Sequence, residues 1–345
     1  MKTEKSVERG EFGARTGRRR LDEAWGRMKA ELTEAMFSRK SQQVKRVMLG
    51  RNLNEGLLAK LVFIMLLTVI AFLYIKPILY MVSTSLKNIA DLIDPLVQLI
   101  PRTLYWGNYA AAWNGLHYVE AFTNTFIIAA VGSVLQVFSC ALTGYALGRL
   151  RFPGKTLFLF LILLTFLVPP QITTIPLYMI YEKLGLLGTP FVFLVPAVLG
   201  QGLRSALFIM IFRQFFMSQP KALEEAAKLD GASLFRLFFR IMLPVAGAAC
   251  LVVFLFSFVW YWNMSYEASL FLSKDFTPLS LRLNTLQMEL MGNRALVYSA
   301  GFGSDPISEG PKMAAAFLII MPPLIVYLIA QRWFTEGIER TGLVD

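Results

Sequence analysis

Histidine occurs once in the 345 residues, at His117, and cysteine twice, at Cys140 and Cys250. A lone histidine excludes a histidine-built metal centre and a His-based acid–base pair. Both cysteines fall inside apolar runs, which argues against a structural disulfide and marks them as small packing residues. HExxH, CxxC and GxSxG spacings are all missing. Carboxylates are nearly absent from the apolar runs, which weakens any mechanism driven by a proton or sodium ion. A phosphate cradle is missing as well. The stretch "GRLRFPGKT", Gly148 to Thr156, ends like one, but five residues separate its glycines where the motif has four. It also joins two apolar runs instead of following a strand, so no ring of amides can wrap a phosphate. The expectation is a chain that is no enzyme, binds no metal and holds no ATP of its own.

What the sequence has in quantity is apolar residues, 56% of the total. They come in blocks at 57–81, 121–147, 157–180, 190–213, 244–265 and 313–334. Each block has the roughly 20 residues needed to cross a bilayer core. A backbone in lipid must satisfy its own polar groups, so each block is expected to be a helix. The class is all-α, a polytopic membrane protein with six transmembrane helices.

The formal charge is +11, and residues 1–60 hold fifteen of the 34 Lys and Arg. Ten of the other 19 sit in the 148–156 segment, the 214–243 segment (with Arg213 counted at its edge) and the tail, against seven in the segments between. That balance puts both termini in the cytoplasm. Anionic lipid accounts for the basic arm, and no nucleic-acid module accompanies it. Residues 1–56 therefore read as a cytoplasmic basic arm. Its Leu21, Trp25, Met28, Leu32 and Met36 recur at helical spacing, as in an amphipathic helix on the membrane face or a partner. Residues 57–345 read as the membrane domain. The long segments 82–120 and 266–312 fall outside. Gly and Pro in "GFGSDPISEGP" predict irregular structure there.

One polar island interrupts the apolar runs: "PKALEEAAKLDGASLFRLFFRIMLPV", Pro220 to Val245. Ser218 and Pro220 suit a helix start, and Glu224 and Lys228 are spaced for an i,i+4 pair. Ala222, Ala226 and Leu229 share one small apolar face. Asp230-Gly231 should end this helix through a left-handed glycine. Ser233 should start a second helix with Leu234, Phe235, Phe238 and Ile241 on its greasy side. Such a knob either fills a partner's groove or rests on lipid as a connector, and local physics leaves both open.

The spacing Glu225-Ala226-Ala227, then Gly231, then Ile241-x-Leu243-Pro244 resembles the EAA motif of ABC-importer permeases. The longer "EEAAKLDGAS" is similar to the carbohydrate-importer branch of the second maltose-type permease subunit. "KPILYMVSTSLKN", "FTNTFIIAAVGSV", "GYALGRLRFPGK" and "MAAAFLIIMPP" extend the resemblance over residues 70–345. It implies the type I permease fold and a bacterial or archaeal cytoplasmic membrane. It also implies a heterodimer with a second permease, two cytoplasmic ATPases that bind the ATP, an extracytoplasmic solute-binding protein and a carbohydrate substrate. On this resemblance the coupling loop is 217–244, with Glu224, Glu225, Ala226, Ala227, Asp230, Gly231, Ile241, Leu243 and Pro244 as its coupling residues. The tail "GIERTGLVD" departs from the family's Gly-Ala-Val-Lys-Gly-like ending, and the arm before residue 55 is longer than usual.

Six polar residues within or at the ends of the apolar runs, Asn124, Gln136, Gln171, Gln201, Arg204 and Asn263, are candidates for an inter-subunit pathway. Each could instead hydrogen-bond a neighbouring helix. Trp260, Tyr261 and Trp262 could stack on sugar or form an interfacial belt. Pro169, Pro170, Pro176 and Pro196 are expected to break the middle helices. A non-sugar solute, a secondary transporter or channel, and a docking scaffold are the competing readings.

Overall fold

The computed structural model describes residues 25–29, 31, 57–273, 275–291 and 306–342. Helices are the regular elements among them, and no strand occurs there. The chain separates into two compact units, Met1–Ile78 and Leu79–Asp345. In the first, residues 25–29 and 31 are helical and Trp25 and Met28 are exposed. Leu21, Leu32 and Met36, the rest of the expected stripe, lie outside the described residues. Helix α1, Leu57–Ser85, runs through Pro77 without ending.

The second unit continues with α2 (Ile89–Ile93), α3 (Gly107–Gly115), α4 (Tyr118–Arg149), α5 (Lys155–Leu167), α6 (Pro170–Lys183), α7 (Phe191–Val198) and α8 (Ser205–Ser218). Then come α9 (Ala222–Leu229), α10 (Leu234–Leu237), a π turn over Phe238–Met242 and α11 (Leu243–Val245). The last four are α12 (Gly247–Asn263), α13 (Tyr266–Phe271), α14 (Leu279–Met291) and α15 (Pro306–Gly342).

Three stretches are long and apolar enough to cross a membrane unbroken: Lys60–Ser85, Tyr118–Arg149 and Glu309–Trp333. Two of the other three apolar blocks are not single helices, and the third, 244–265, is α12 from Gly247 onward. The block at 157–180 is α5 and α6, bent by 104°. Val168 takes an extended conformation there, as a residue before proline does, and Pro169 and Pro170 supply no amide to continue the ladder. Leu234–Val245 and α12 meet at 76°. The block at 190–213 is split into α7 and the 14-residue α8 by residues 199–204, where Gly200 is left-handed at φ +71°. The expected irregularity of the 266–312 segment is overturned for the part described. α13 and α14 form there, and Pro306 opens α15 at a position where a missing amide costs nothing.

α4 is the central helix, packed against α7, α8 and α12. Lipid is as apolar as a leucine side chain, so burial alone does not drive helices together, and close backbone approach matters more. Gly144 supplies that approach: a Cβ added there would sit 2.6 Å from Phe212 Cβ and 2.9 Å from the Arg213 nitrogen. Around this crossing Tyr145, Phe212, Phe216, Leu237, Phe238 and Met242 are buried together. Toward the other end of α4, Leu116, Ile128, Phe258, Trp262 and Leu279 form a second cluster. Trp262 Nε1 donates to the Ile319 carbonyl at 3.0 Å, which ties α12 to α15.

The 86–117 segment is ordered by its polar groups. Lys87, 4% exposed, donates to the Val97 and Gln98 carbonyls at 3.0 and 2.7 Å. Asn108 Nδ2 donates to the Ser85 and Lys87 carbonyls at 3.0 and 2.8 Å.

Gly144→Val should overpack the α4–α8 crossing at a cost of about 1–3 kcal/mol. Gly247 has nothing within 4 Å of its added Cβ and serves as the control. In detergent, Gly144→Val is expected to melt several degrees below wild type, with Gly247→Val unchanged. Equal melting of the two variants would show that the close approach contributes nothing.

Candidate functional site

The segment 217–244, where coupling residues are expected, holds a helix, a glycine turn and a second helix. α9 ends in a complete Schellman turn: Ala232 N–H donates to Ala227 O at 3.0 Å and Gly231 N–H to Lys228 O at 3.1 Å. Both bonds require the left-handed residue between them, and Gly231 supplies it at φ +75°. Ser233 caps α10, its side chain accepting from the Arg236 amide at 3.4 Å. Ser218 does not start α9. Its hydroxyl donates back to Phe215 O at 2.8 Å and closes α8, while Lys221 precedes the first turn of α9.

Neighbouring residues on a helix point about 100° apart, so Glu224 and Glu225 have different surroundings. Glu224 is buried and Glu225 is exposed. Glu224 Oε1 lies 2.8 Å from Arg149 Nε, with the two side chains 11% and 6% exposed. Arg149 also donates from Nη2 to the carbonyls of Gln219 and Pro220, at 2.6 and 3.3 Å. The knob is thereby fastened to the last residue of α4. The i,i+4 pair expected between Glu224 and Lys228 does not form, because Glu224 turns inward to Arg149. Nothing local in the sequence marks Arg149 as this partner, some seventy residues away. Only its sign and its position at the end of an apolar run hint at it.

The second helix also divides differently from its apolar pattern. Leu237, Phe238 and Met242 are buried and Ile241 half-buried, whereas Leu234 and Phe235 are exposed. On the outward side Ala222, Leu223, Glu225, Ala226, Leu229, Leu234 and Phe235 are exposed together, Leu229 by 89% and Phe235 by 72%. Ala227 is buried, Asp230 and Gly231 are exposed at the turn, Leu243 is half-buried and Pro244 exposed.

The pathway candidates separate by burial. Gln136 is fully buried and holds the break between α7 and α8. Its Nε2 donates to Leu203 O at 2.5 Å and to Ser205 Oγ at 3.2 Å, and its Oε1 accepts from Ser257 Oγ at 3.0 Å. Ser139 Oγ donates to Ala197 O at 2.6 Å, and the Leu203 amide donates to Tyr261 Oη at 3.4 Å. The Ala197 and Leu203 carbonyls and the Leu203 amide thus find side-chain partners inside the chain, as membrane depth demands. Gln136 is therefore committed inside the chain. Asn124 is half-buried, with its amide 3.5 Å from Thr277 O. Gln171, Gln201, Arg204 and Asn263 are exposed, and Asn263 donates to Val259 O on its own helix. Tyr261 and Trp262 are core residues, each 1% exposed, which removes them as sugar platforms. Trp260 is half-buried, and the Arg204 guanidinium carbon lies 5.6 Å from the centroid of its ring.

Comparison with known proteins agrees with this geometry. The chain is 31% identical over 275 residues to the probable ABC transporter permease protein YurM of Bacillus subtilis (strain 168), covering 78% of this chain and 85% of that protein. It is 29% identical over 263 residues to the sn-glycerol-3-phosphate transport system permease protein UgpE of Pectobacterium atrosepticum, covering 74% and 87%. In fold it is similar to a chain of a bacterial ABC transporter involved in the import of the acidic polysaccharide alginate. There the TM-score is 0.62 at 23% identity, covering 80% of this chain and 96% of that one. The model of the family described as binding-protein-dependent transport system inner membrane component matches residues 141–340, a stretch that contains both the Arg149–Glu224 pair and the glycine turn. The chain belongs to that family and is a membrane-spanning permease subunit of an ABC importer.

Proposed function

We propose that this permease takes up a carbohydrate-class solute delivered by an extracytoplasmic binding protein, and that it pairs with a second, different permease to enclose the pathway. ATP is bound and hydrolysed by two cytoplasmic ATPases, into which the knob of α9 and α10 inserts. Both termini lie in the cytoplasm, on the side of the basic arm and of the knob. The observation that carries this reading is the knob itself: one side locked to α4 through Arg149, the other presenting Glu225, Leu229 and Phe235 to a groove. The carbohydrate assignment is supported by the polysaccharide named for the alginate transporter. The sn-glycerol-3-phosphate named for UgpE is a polyol phosphate and keeps a non-sugar solute as the alternative.

A β-branched residue at φ +75° is strained by about 1–3 kcal/mol, too little to unfold the bundle and enough to re-aim α9. Gly231→Val is expected to insert normally and to pair with the other permease, but to bind the ATPase weakly or leave hydrolysis uncoupled from uptake. Glu225→Ala should give a milder defect. Membrane abundance, ATPase pull-down and labelled-solute uptake on the same cells measure this. Wild-type uptake by Gly231→Val at matched abundance would reduce the knob to a connector on lipid.

Removing one member of a buried ion pair strands the other, at a cost of roughly 3–5 kcal/mol. Arg149→Met and Glu224→Leu should each impair ATPase binding, and the double variant should lose no more than Arg149→Met alone. Strictly additive losses would mean that the pair is not a functional unit.

The isolated subunit is expected to bind no ATP, since it has no loop to cradle phosphate. Saturable micromolar binding by the purified chain, free of its partners, would overturn that assignment.

A further inference from the structure

Arg204 stands at the break between α7 and α8, with the fourteen residues of α8, roughly 20 Å of helix, between it and the cytoplasmic end. That puts a full positive charge within the hydrocarbon region. Its side chain is exposed on the surface of the chain, and among the described residues no carboxylate pairs with it. Its contact with Trp260 recovers only part of the cost of such a placement. A charge at this depth is tolerated where it faces protein or a water-filled cavity, not acyl chains. The side chain therefore points into the pathway or at the other permease.

The geometry of the pair narrows what it can meet there. Trp260 lies on one side of the guanidinium, its ring centroid 5.6 Å from the guanidinium carbon, and the N–H donors left exposed can engage two oxygens of one anion. Gln201, three residues earlier and also exposed, offers an amide that can both donate to and accept from sugar hydroxyls. A neutral sugar offers these donors hydroxyl acceptors but no counter-charge, which an anionic group supplies with the stronger, charge-assisted bonds. We propose that Arg204 contacts the solute directly and that the solute is an acidic carbohydrate, one bearing a carboxylate or a phosphate group. This rests on the carbohydrate-importer reading above and adds to it the charge of the solute and the residue that reads it.

The experiment uses the whole complex, with second permease, ATPases and binding protein, in proteoliposomes. The probes are uronate oligosaccharides, sugar phosphates and the neutral parents of both. The expected result is that the probes taken up are acidic, the uronate and phosphate arms showing which group is read. Arg204→Gln should then raise KM for the accepted probe about tenfold or more, the loss expected when a charged hydrogen-bond partner is removed. Arg204→Lys should recover part of the loss, and the variant complexes should be recovered in wild-type yield. Uptake of neutral probes in preference to acidic ones would overturn the proposal, as would an unchanged KM in Arg204→Gln. Loss of the second permease from the Arg204→Gln complex would overturn it too, by making Arg204 an interface residue. If no probe of either kind is taken up or stimulates hydrolysis, the carbohydrate reading itself falls and this inference falls with it.

Discussion

Backbone polar groups at membrane depth must find partners inside the protein, and this structure meets that demand at its weakest point through side chains of two helices, α4 and α12. Residues 199–204 interrupt the 190–213 block, which frees carbonyls and amides that lipid cannot satisfy. α4 answers with Gln136 and Ser139, and α12 with Tyr261 and, through Gln136, Ser257. The same α4 carries Arg149 at its end, thirteen residues and about 20 Å from Gln136. The helix break and the knob are thus attached to one helix, α4. The knob cannot leave α4 without stranding a buried charge, and α4 cannot shift without disturbing the polar contacts at the break. Both attachments are polar and costly to open.

The division of the knob into two faces follows from the same arithmetic. A helix of eight residues presents Glu224 and Ala227, three apart, on one side and Glu225 and Leu229, four apart, on another. Ala227 has to be small, since it is buried in the cluster that includes Phe216 and Leu237. Ala226 is exposed and has no such neighbour to accommodate. Two adjacent alanines therefore answer to different constraints, one internal to the chain and one set by whatever the outward face meets.

Local chemistry in the sequence located some turns and caps and missed others: Ser218 starts no helix, and Pro176 and Pro196 lie inside helices they were expected to break. Gly231 after Asp230 marked a left-handed turn, Ser233 marked a cap, and Pro169-Pro170 marked a bend. The apolar blocks located the helical segments, though two of the six, 157–180 and 190–213, are broken where a count of apolar residues suggests one rod. Composition registers the average over a window and is insensitive to a six-residue break that keeps its leucines. What the sequence could not show was pairing through space. Glu224 has a same-helix cation at the right spacing in Lys228, yet it is claimed by Arg149. Leu234 and Phe235 belong by pattern with Phe238, yet they point away from it. In both cases a residue distant in the chain decides the outcome.

Polar side chains within the apolar blocks illustrate the point most clearly. Gln136 and Gln201 are the same residue type in adjacent parts of the fold, and by hydropathy they are indistinguishable. Gln136 uses both ends of its amide on three partners, and any solute competing for them would have to reopen the α7–α8 break. Gln201 keeps its side chain outside the chain's own packing, beside an arginine that has an aromatic face but no carboxylate. A group whose hydrogen bonds are already made inside the protein is structural, because replacing those bonds with a ligand gains little and costs the fold. A group left exposed at the same depth needs a partner from elsewhere, since lipid offers it none. Satisfaction, and not polarity, is therefore what sorts scaffold from pathway in a permease of this kind.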